Sequence, residues 1–464
     1  MNQQDYDQYY RENPTARFSV LVTICIGSFL TPLSLSAILV AIPAIAHDLQ
    51  ADARLVSWIP AVFLLSTLIA LLPAGRMADT YGRKRIYLIG NVVFVVGTLL
   101  AGVVTNIEYL LVFRVVQGMG AAMFFSNGMA IITSVFIDRG RGAALGWVVA
   151  SVYSGLTCGP LIGGWLTDQY GWHAVFFFQI PFALLGIVLI LLTMKGEWRS
   201  QNPEPIDWVG AILLAFSLLS FFIGVSSLPD WKAAGFLGGA ALLLILLIRH
   251  MDRSSSPLVR LKVVWRNRLF SHYLLASVLM YSGSYGLIFL LGLYLQYNHG
   301  MTPTEAGRML MLQAIVMAVL APLAGRLSDH IQPGYLATAG CLSAAIAFAV
   351  FISIDFSTPI YWIGIALLFL GAGFGLFSTP NNSAALGSIR QERLGIGSAL
   401  LNMSRLMGQM VGTAVVAGLM SIYIGSNTIT PDNYDALSQV FDMAVVLSLF
   451  FSLAAAYFSF VNVH

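Results

Sequence analysis

Ala74-Gly75-Arg76-Met77-Ala78-Asp79-Thr80-Tyr81-Gly82-Arg83-Lys84-Arg85 is answered 250 residues later by Ala324-Gly325-Arg326-Leu327-Ser328-Asp329-His330. Gly75, Arg76 and Asp79 return as Gly325, Arg326 and Asp329 at the same spacing. Both stretches interrupt long apolar runs. A charged cluster that recurs at a fixed distance in such a chain marks a duplicated membrane unit.

Composition agrees. Of 464 residues, 58% are hydrophobic and 10% charged, against about a quarter charged in soluble domains. That excludes an ordinary water-soluble globule. A net charge of +3 offers no basic footprint for nucleic acid. Cys25, Cys158 and Cys341 stand singly in apolar runs, with no disulfide or metal spacing. No metal or cofactor is expected. Residues 1–17 are polar and lack the basic start, apolar core and cleavage site of a signal peptide, so the first apolar run should insert uncleaved.

A spanning helix needs about 20 mostly apolar residues. The chain holds fourteen such runs, from 18–46 to 438–461, too continuously apolar for barrel strands. The reading is an all-α polytopic membrane protein. Orientation follows Lys and Arg. With the N-terminus in the cytoplasm, nineteen of the 24 Lys and Arg fall on the inner side. Both termini are therefore predicted to be cytoplasmic. The two copies stand 250 residues apart, whereas six helices with loops need only about 200. The surplus is a helix pair. The predicted organisation is a cytoplasmic segment 1–17, a six-helix bundle 18–200, a lipid-facing two-helix hairpin 201–250, a basic cytoplasmic linker 251–268 touching anionic lipid, and a second six-helix bundle 269–464.

Four stretches carry a family resemblance over nearly the whole chain. The first copy of the charged cluster resembles the signature loop of the major facilitator superfamily, Gly-x-x-x-Asp-x-x-Gly-Arg-Lys/Arg-x. In the fourth run, Arg114-Val115-Val116-Gln117-Gly118-Met119-Gly120 is similar to the superfamily's Arg-x-x-Gln-Gly-x-Gly motif. In the fifth, Gly155-Leu156-Thr157-Cys158-Gly159-Pro160-Leu161-Ile162-Gly163-Gly164 resembles the motif that marks its antiporters. Trp58, Ile206-Asp207-Trp208-Val209-Gly210 and the glycines from Gly395 to Gly412 are similar to the fourteen-helix drug:proton antiporter branch. The resemblance implies the major facilitator fold, fourteen helices in two six-helix bundles plus an inserted pair, in a bacterial inner membrane. It implies a monomer that moves a small molecule by alternating access, with protons as candidate partners.

Each motif has a physical account. Asp79 is read as opening the third helix, where a carboxylate meets the positive end of a helix dipole. With Gly75, Arg83, Asp138 and Asp329 it forms a candidate latch at the inner ends. The alternative is that the basic residues only fix topology. Arg114 is a charge in an apolar helix, costing at least about 2.5 kcal/mol, and Gln117 shares its face. It is read either as a gate or proton-path residue, or as a clamp onto neighbouring carbonyls. Gly155, Gly159, Gly163 and Gly164 form a small-residue seam for close helix contact, bent by Pro160. Asn402, Arg405 and Gln409 lie on one face of the thirteenth run, with Arg405 roughly 16 Å from its inner end. Tyr281 and Tyr285, with Tyr153 and Gln179, are candidate ligand contacts.

One departure bears on substrate. Where the branch typically carries Asp in the first helix, Ser34 stands here. No Asp or Glu lies deep in any run, so the proton-coupling candidates are the outer acids Glu108 and Asp48. With Arg114 and Arg405 as the deepest charges, neutral or anionic amphipathic molecules are favoured over cations. Export is the first reading; import of a metabolite, or movement of a lipid-like molecule, is the alternative. No nucleophile, metal-ligand or paired-carboxylate constellation points to an enzyme.

Overall fold

The computed structural model describes residues 9–136, 141–200, 203–259, 267–328, 330–354, 358–389 and 394–461. Among them are fourteen helices long and apolar enough to cross a membrane. We number them α1 (Pro14–Asp48), α2 (Ala53–Tyr81), α3 (Arg83–Ala101), α4 (Ile107–Val135), α5 (Arg141–Tyr170), α6 (His173–Thr193), α7 (Trp208–Ser226), α8 (Lys232–Arg253), α9 (Arg268–Tyr297), α10 (Pro303–Leu327), α11 (Pro333–Ile352), α12 (Tyr361–Gly387), α13 (Leu394–Tyr423) and α14 (Tyr434–Phe460). Short connections make successive helices antiparallel. The ends of α1 and α14 nearest the chain termini define a terminal face; the opposite ends define a distal face.

Two bundles, α1–α6 and α9–α14, repeat one another. The tight pairs α1 with α5, α3 with α4 and α2 with α4 return, eight helices on, as α9 with α13, α11 with α12 and α10 with α12. Between bundles, α5 packs on α10 and α13 packs on α2, the same pair with the halves exchanged. That exchange is the mark of a pseudo-two-fold axis. The central helices show it in their burial. From Leu30 to Pro43, α1 is buried on every side, and so is α9 over Phe289–Leu295. A helix apolar all round belongs at the centre.

The hairpin α7–α8 is peripheral. Helix α7 lies against α2 and α13, and Phe222 meets Trp58 edge-on at 4.7 Å. Helix α8 buries only Ala233, Ala240 and Leu247, a seven-residue stripe against α7, and turns the rest of its apolar surface outward.

The corner between α2 and α3 departs from the sequence reading. Asp79 does not open α3. Helix α2 runs through Arg76 to Tyr81, so Asp79 lies in its last turn. The connection is the single residue Gly82, at φ +115, a left-handed value that favours glycine. The N-terminus of α3 is capped instead by Glu197, whose Oε1 accepts from Lys84 N at 2.9 Å and Arg85 N at 3.5 Å. Asp138 and Asp329 of the candidate latch lie outside the described residues.

The bundles meet toward the distal face. Thr304 N donates to Asp168 Oδ2 at 2.9 Å, Gln296 Nε2 to the Val40 carbonyl at 3.0 Å, Ala53 N to the Asn427 carbonyl at 3.0 Å, and Arg54 Nη2 to Ser421 Oγ at 3.0 Å. The molecule is therefore closed at its distal end.

Candidate functional site

Pro32 in α1 and tyrosines one helical turn apart in α9 line a cavity between the bundles, about 60 Å³ in volume. Its walls include Thr31, Pro32 and Leu35 of α1, Phe125 of α4, Tyr153 and Leu156 of α5, Tyr281 and Tyr285 of α9, and Arg405 and Gln409 of α13. Tyr153 reaches across the bundles to Ser378 Oγ at 3.3 Å, and Tyr281 meets the same hydroxyl at 3.3 Å. This junction lies on the terminal side of the cavity. Arg405 sits beside the Tyr281 hydroxyl and its guanidinium carbon lies 5.5 Å from the Phe125 ring centre.

Arg114 lies deeper, seven residues into α4 from its distal start, and is fully buried. Its Nη1 donates to Gln117 Oε1 at 2.7 Å and Ser34 Oγ at 3.2 Å; its Nε donates to the Ile59 carbonyl at 3.4 Å. Gln117 Nε2 continues the chain to Thr98 Oγ1 at 2.8 Å. Phe63 covers the guanidinium face at 4.4 Å, a contact worth about 2 kcal/mol when desolvated. Arg114 thus ties α1, α2, α3 and α4 together, as a clamp would. It still keeps one donor free: Nη2 is buried without a partner. So are Tyr285 Oη, Thr31 Oγ1, Arg405 Nε and Gln409 Oε1. Such atoms normally find partners. Here four of the five belong to residues lining one cavity, and Tyr285 is the polar neighbour of Arg114.

The seam on α5 has two faces. A Cβ on Gly155, Gly159 or Gly163 would run into α1 at Phe29, Ser36 and Ala37. A Cβ on Gly164 would strike Pro303 of α10, and one on Gly307 of α10 would strike the Pro160 carbonyl. The motif therefore packs the bundle internally and also closes the distal contact with the other bundle.

The remaining expected residues fall elsewhere. Gln179 is buried in α6 and donates to the Val175 carbonyl. Asn402 is outside the cavity lining. Glu108 is exposed at the distal start of α4, and Asp48 accepts from Trp172 Nε1 at 2.9 Å at the distal end of α1. Arg83 pairs with Asp79 at 3.1 Å and reaches Ser134 Oγ at 3.3 Å, all within its own bundle. Phe125, Thr31 and Ser378 were not singled out from the sequence. A lone Phe, Thr or Ser in an apolar helix gives no signal until the partner helix is placed against it.

A family model described as Major Facilitator Superfamily matches residues 24–413. The chain belongs to the Major Facilitator Superfamily. Among curated proteins it is similar to the riboflavin transporter RibZ of Clostridioides difficile, 27% identical over 86% of this chain and 87% of that one. It is similar to the drug efflux pump JefA of Mycobacterium tuberculosis, 29% identical over 94% and 87%. It is also similar to the tetracenomycin C resistance and export protein of Streptomyces glaucescens, 27% identical over 89% and 77%. Among solved structures, a bacterial homolog of the human lysosomal transporter Spinster, inward-facing and unoccupied, aligns over 97% of both chains at a TM-score of 0.69 and 19% identity. A peptide transporter bound to alafosfalin aligns over 99% of both at 0.71 and 16%. At those identities the likeness is one of fold. With fourteen spanning helices among its described residues, the chain is a multi-pass superfamily transporter, and its inter-bundle cavity is where such a fold offers a site.

Proposed function

We propose that this transporter exports a small amphipathic organic molecule, neutral or anionic, by alternating access. The cavity carries the reading: aromatic walls and unpartnered polar atoms from both bundles converge on it, while the distal contacts keep it shut on one side. Relatives named as a drug efflux pump and as a resistance and export protein support export as the direction. The excess of Lys and Arg on the terminal face supports a cytoplasmic placement of both termini in a bacterial inner membrane. The protein works as a monomer, its apolar outer surface in lipid. The outer acids Glu108 and Asp48 stand away from the cavity, so a proton, if carried, is not carried at the substrate's walls.

The test is flux in liposomes holding the purified protein, loaded with candidate compounds. Outward movement that stops in Arg405→Ala supports the reading. Inward accumulation under the same gradients contradicts export.

A further inference from the structure

Among the described residues, the charge of Arg114 has no counter-charge. Its partners, Ser34 Oγ, the Gln117 side-chain oxygen and the Ile59 carbonyl, are all neutral. No Asp or Glu among the described residues lines the cavity or pairs with Arg114 or Arg405. The described acids sit at helix ends or in the connections, apart from Asp442, two turns into α14. A membrane interior disfavours an uncompensated charge strongly. The same charge becomes a binding determinant when a ligand brings the opposite sign.

We infer that the molecule carried is an aromatic monoanion whose acidic group supplies the missing counter-charge to Arg114 and Arg405, and that the membrane potential drives its exit. This rests on the transport reading above. The two guanidinium groups belong to different bundles, Arg114 to α4 and Arg405 to α13. Each keeps an unpartnered nitrogen, and the unpartnered Tyr285 hydroxyl lies in the cavity wall beside Arg114. Of the two guanidinium groups, that of Arg405 lines the cavity, while that of Arg114 is buried outside its lining, beside Tyr285. An anion held in the cavity meets Arg405 and Tyr285 directly and feels the Arg114 charge from the other half, so binding favours the state in which the halves close around it. Phe125 and Tyr281 offer ring faces on the same walls. Gln409 adds an amide one turn beyond Arg405 on α13, free to present either its oxygen or its nitrogen. The loaded and empty forms differ by the one negative charge that the ligand brings. Cell interiors are negative. An anion leaving across about 100 mV is driven to roughly a 50-fold gradient with no proton moved. A protein without a carboxylate in its cavity can therefore still do work.

The experiment uses the full chain in liposomes, at equal pH on both sides, with the potential set by a potassium gradient and valinomycin. The probes share one ring system: naphthalenesulfonate (anion), naphthalenesulfonamide (neutral) and naphthyltrimethylammonium (cation). The anion should bind at least about tenfold more tightly than either analogue, and its flux should rise with the potential. Ser34→Asp, which sets a carboxylate against Arg114, should lower anion binding about tenfold or more. Gln409→Glu, in the partly exposed cavity wall, should act in the same sense and keeps the test independent of folding around Arg114. Preference for the neutral or cationic probe, or anion flux that follows a pH gradient and ignores the potential, overturns the inference and leaves the transport reading standing. Absence of flux for all three probes counts against both.

Discussion

At the scale of single residues, the unpartnered atoms around the cavity make opposite demands on folding and on binding. Tyr285 Oη is buried with no hydrogen-bond partner, a state that costs about 1–3 kcal/mol. Tyr285→Phe should therefore leave the empty protein as stable or more stable, read as melting temperature in detergent, while weakening ligand binding about tenfold. A loss of stability would mean that the hydroxyl has a structural partner. Arg114→Ala should abolish flux without preventing membrane insertion, since the helix stays apolar. Flux near wild type would reduce Arg114 to a clamp. Much of this site was legible in the sequence because charge is conspicuous in an apolar run: Arg114, Gln117 and Arg405 stand out by type alone, and helical spacing put Gln117 on the face of Arg114. The partner of Arg114 on α1 was visible only as a missing acid at Ser34. Gln179 and Asn402 fall outside the cavity lining: a polar side chain in a membrane helix can bond its own backbone, as Gln179 Nε2 bonds the Val175 carbonyl, although the Gln179 Oε1 stays buried without a partner.

At the scale of elements, the α2–α3 corner is held by a segment distant in sequence. Arg83 N donates to the Trp198 carbonyl at 2.9 Å and Ser200 N to the Asp79 carbonyl at 3.0 Å. Lys84 Nζ donates to the Met194 carbonyl. Tyr10 Oη donates to the Lys195 carbonyl at 2.8 Å and accepts from Lys195 N at 3.0 Å. The signature cluster, the end of α6 and the chain's start thus form one knot at the terminal face. Glu197→Ala removes the cap of α3 and should cost about 1 kcal/mol. Burial raises the Glu197 carboxyl above its ordinary 4.5, against the opposing pull of the Lys84 and Arg85 amides. A raised acid binds its proton more tightly when folded, so its stabilisation is greatest at low pH and is lost as pH climbs from about 4.5 through the raised value. Glu197→Gln should flatten that decline in a melting series; an unchanged slope would assign it to another group. The error over Asp79 has the same origin. A loop motif read along the chain suggests a local cap, whereas the cap comes from 113 residues away. The hairpin has its own pin: Asp207 Oδ1 accepts from Gly210 N at 2.8 Å and meets His250 Nε2 at 2.7 Å, and Oδ2 accepts from Leu258 N at 3.2 Å. Burial works to raise the Asp207 carboxyl, but these hydrogen bonds outweigh it and hold it below its ordinary value.

At the scale of the whole molecule, the fold was legible because duplication and hydropathy are long-range signals that survive local ambiguity. The runs beginning at 141, 303 and 394 start where α5, α10 and α13 do. What the sequence did not carry was the state: which ends of the bundles touch depends on packing that no single run encodes. In this structure the distal ends touch, with Ala53 and Asn427 joined through their backbones. In a chain lacking Cys25, Cys158 and Cys341, Ala53→Cys with Asn427→Cys should cross-link on oxidation and cut flux about tenfold or more, with recovery on reduction. Full flux in the cross-linked protein would mean that the distal contact never opens. The rocking of the two bundles about their shared cavity is tested most directly by spin-label distances in liposomes, with one pair on His47 and Ser426 at the distal face and another on Gly142 and Gly387 at the terminal face. On adding a transported compound, the account predicts that the distal distance lengthens while the terminal distance shortens. Two distances that stay fixed, or that change together in one direction, would contradict it.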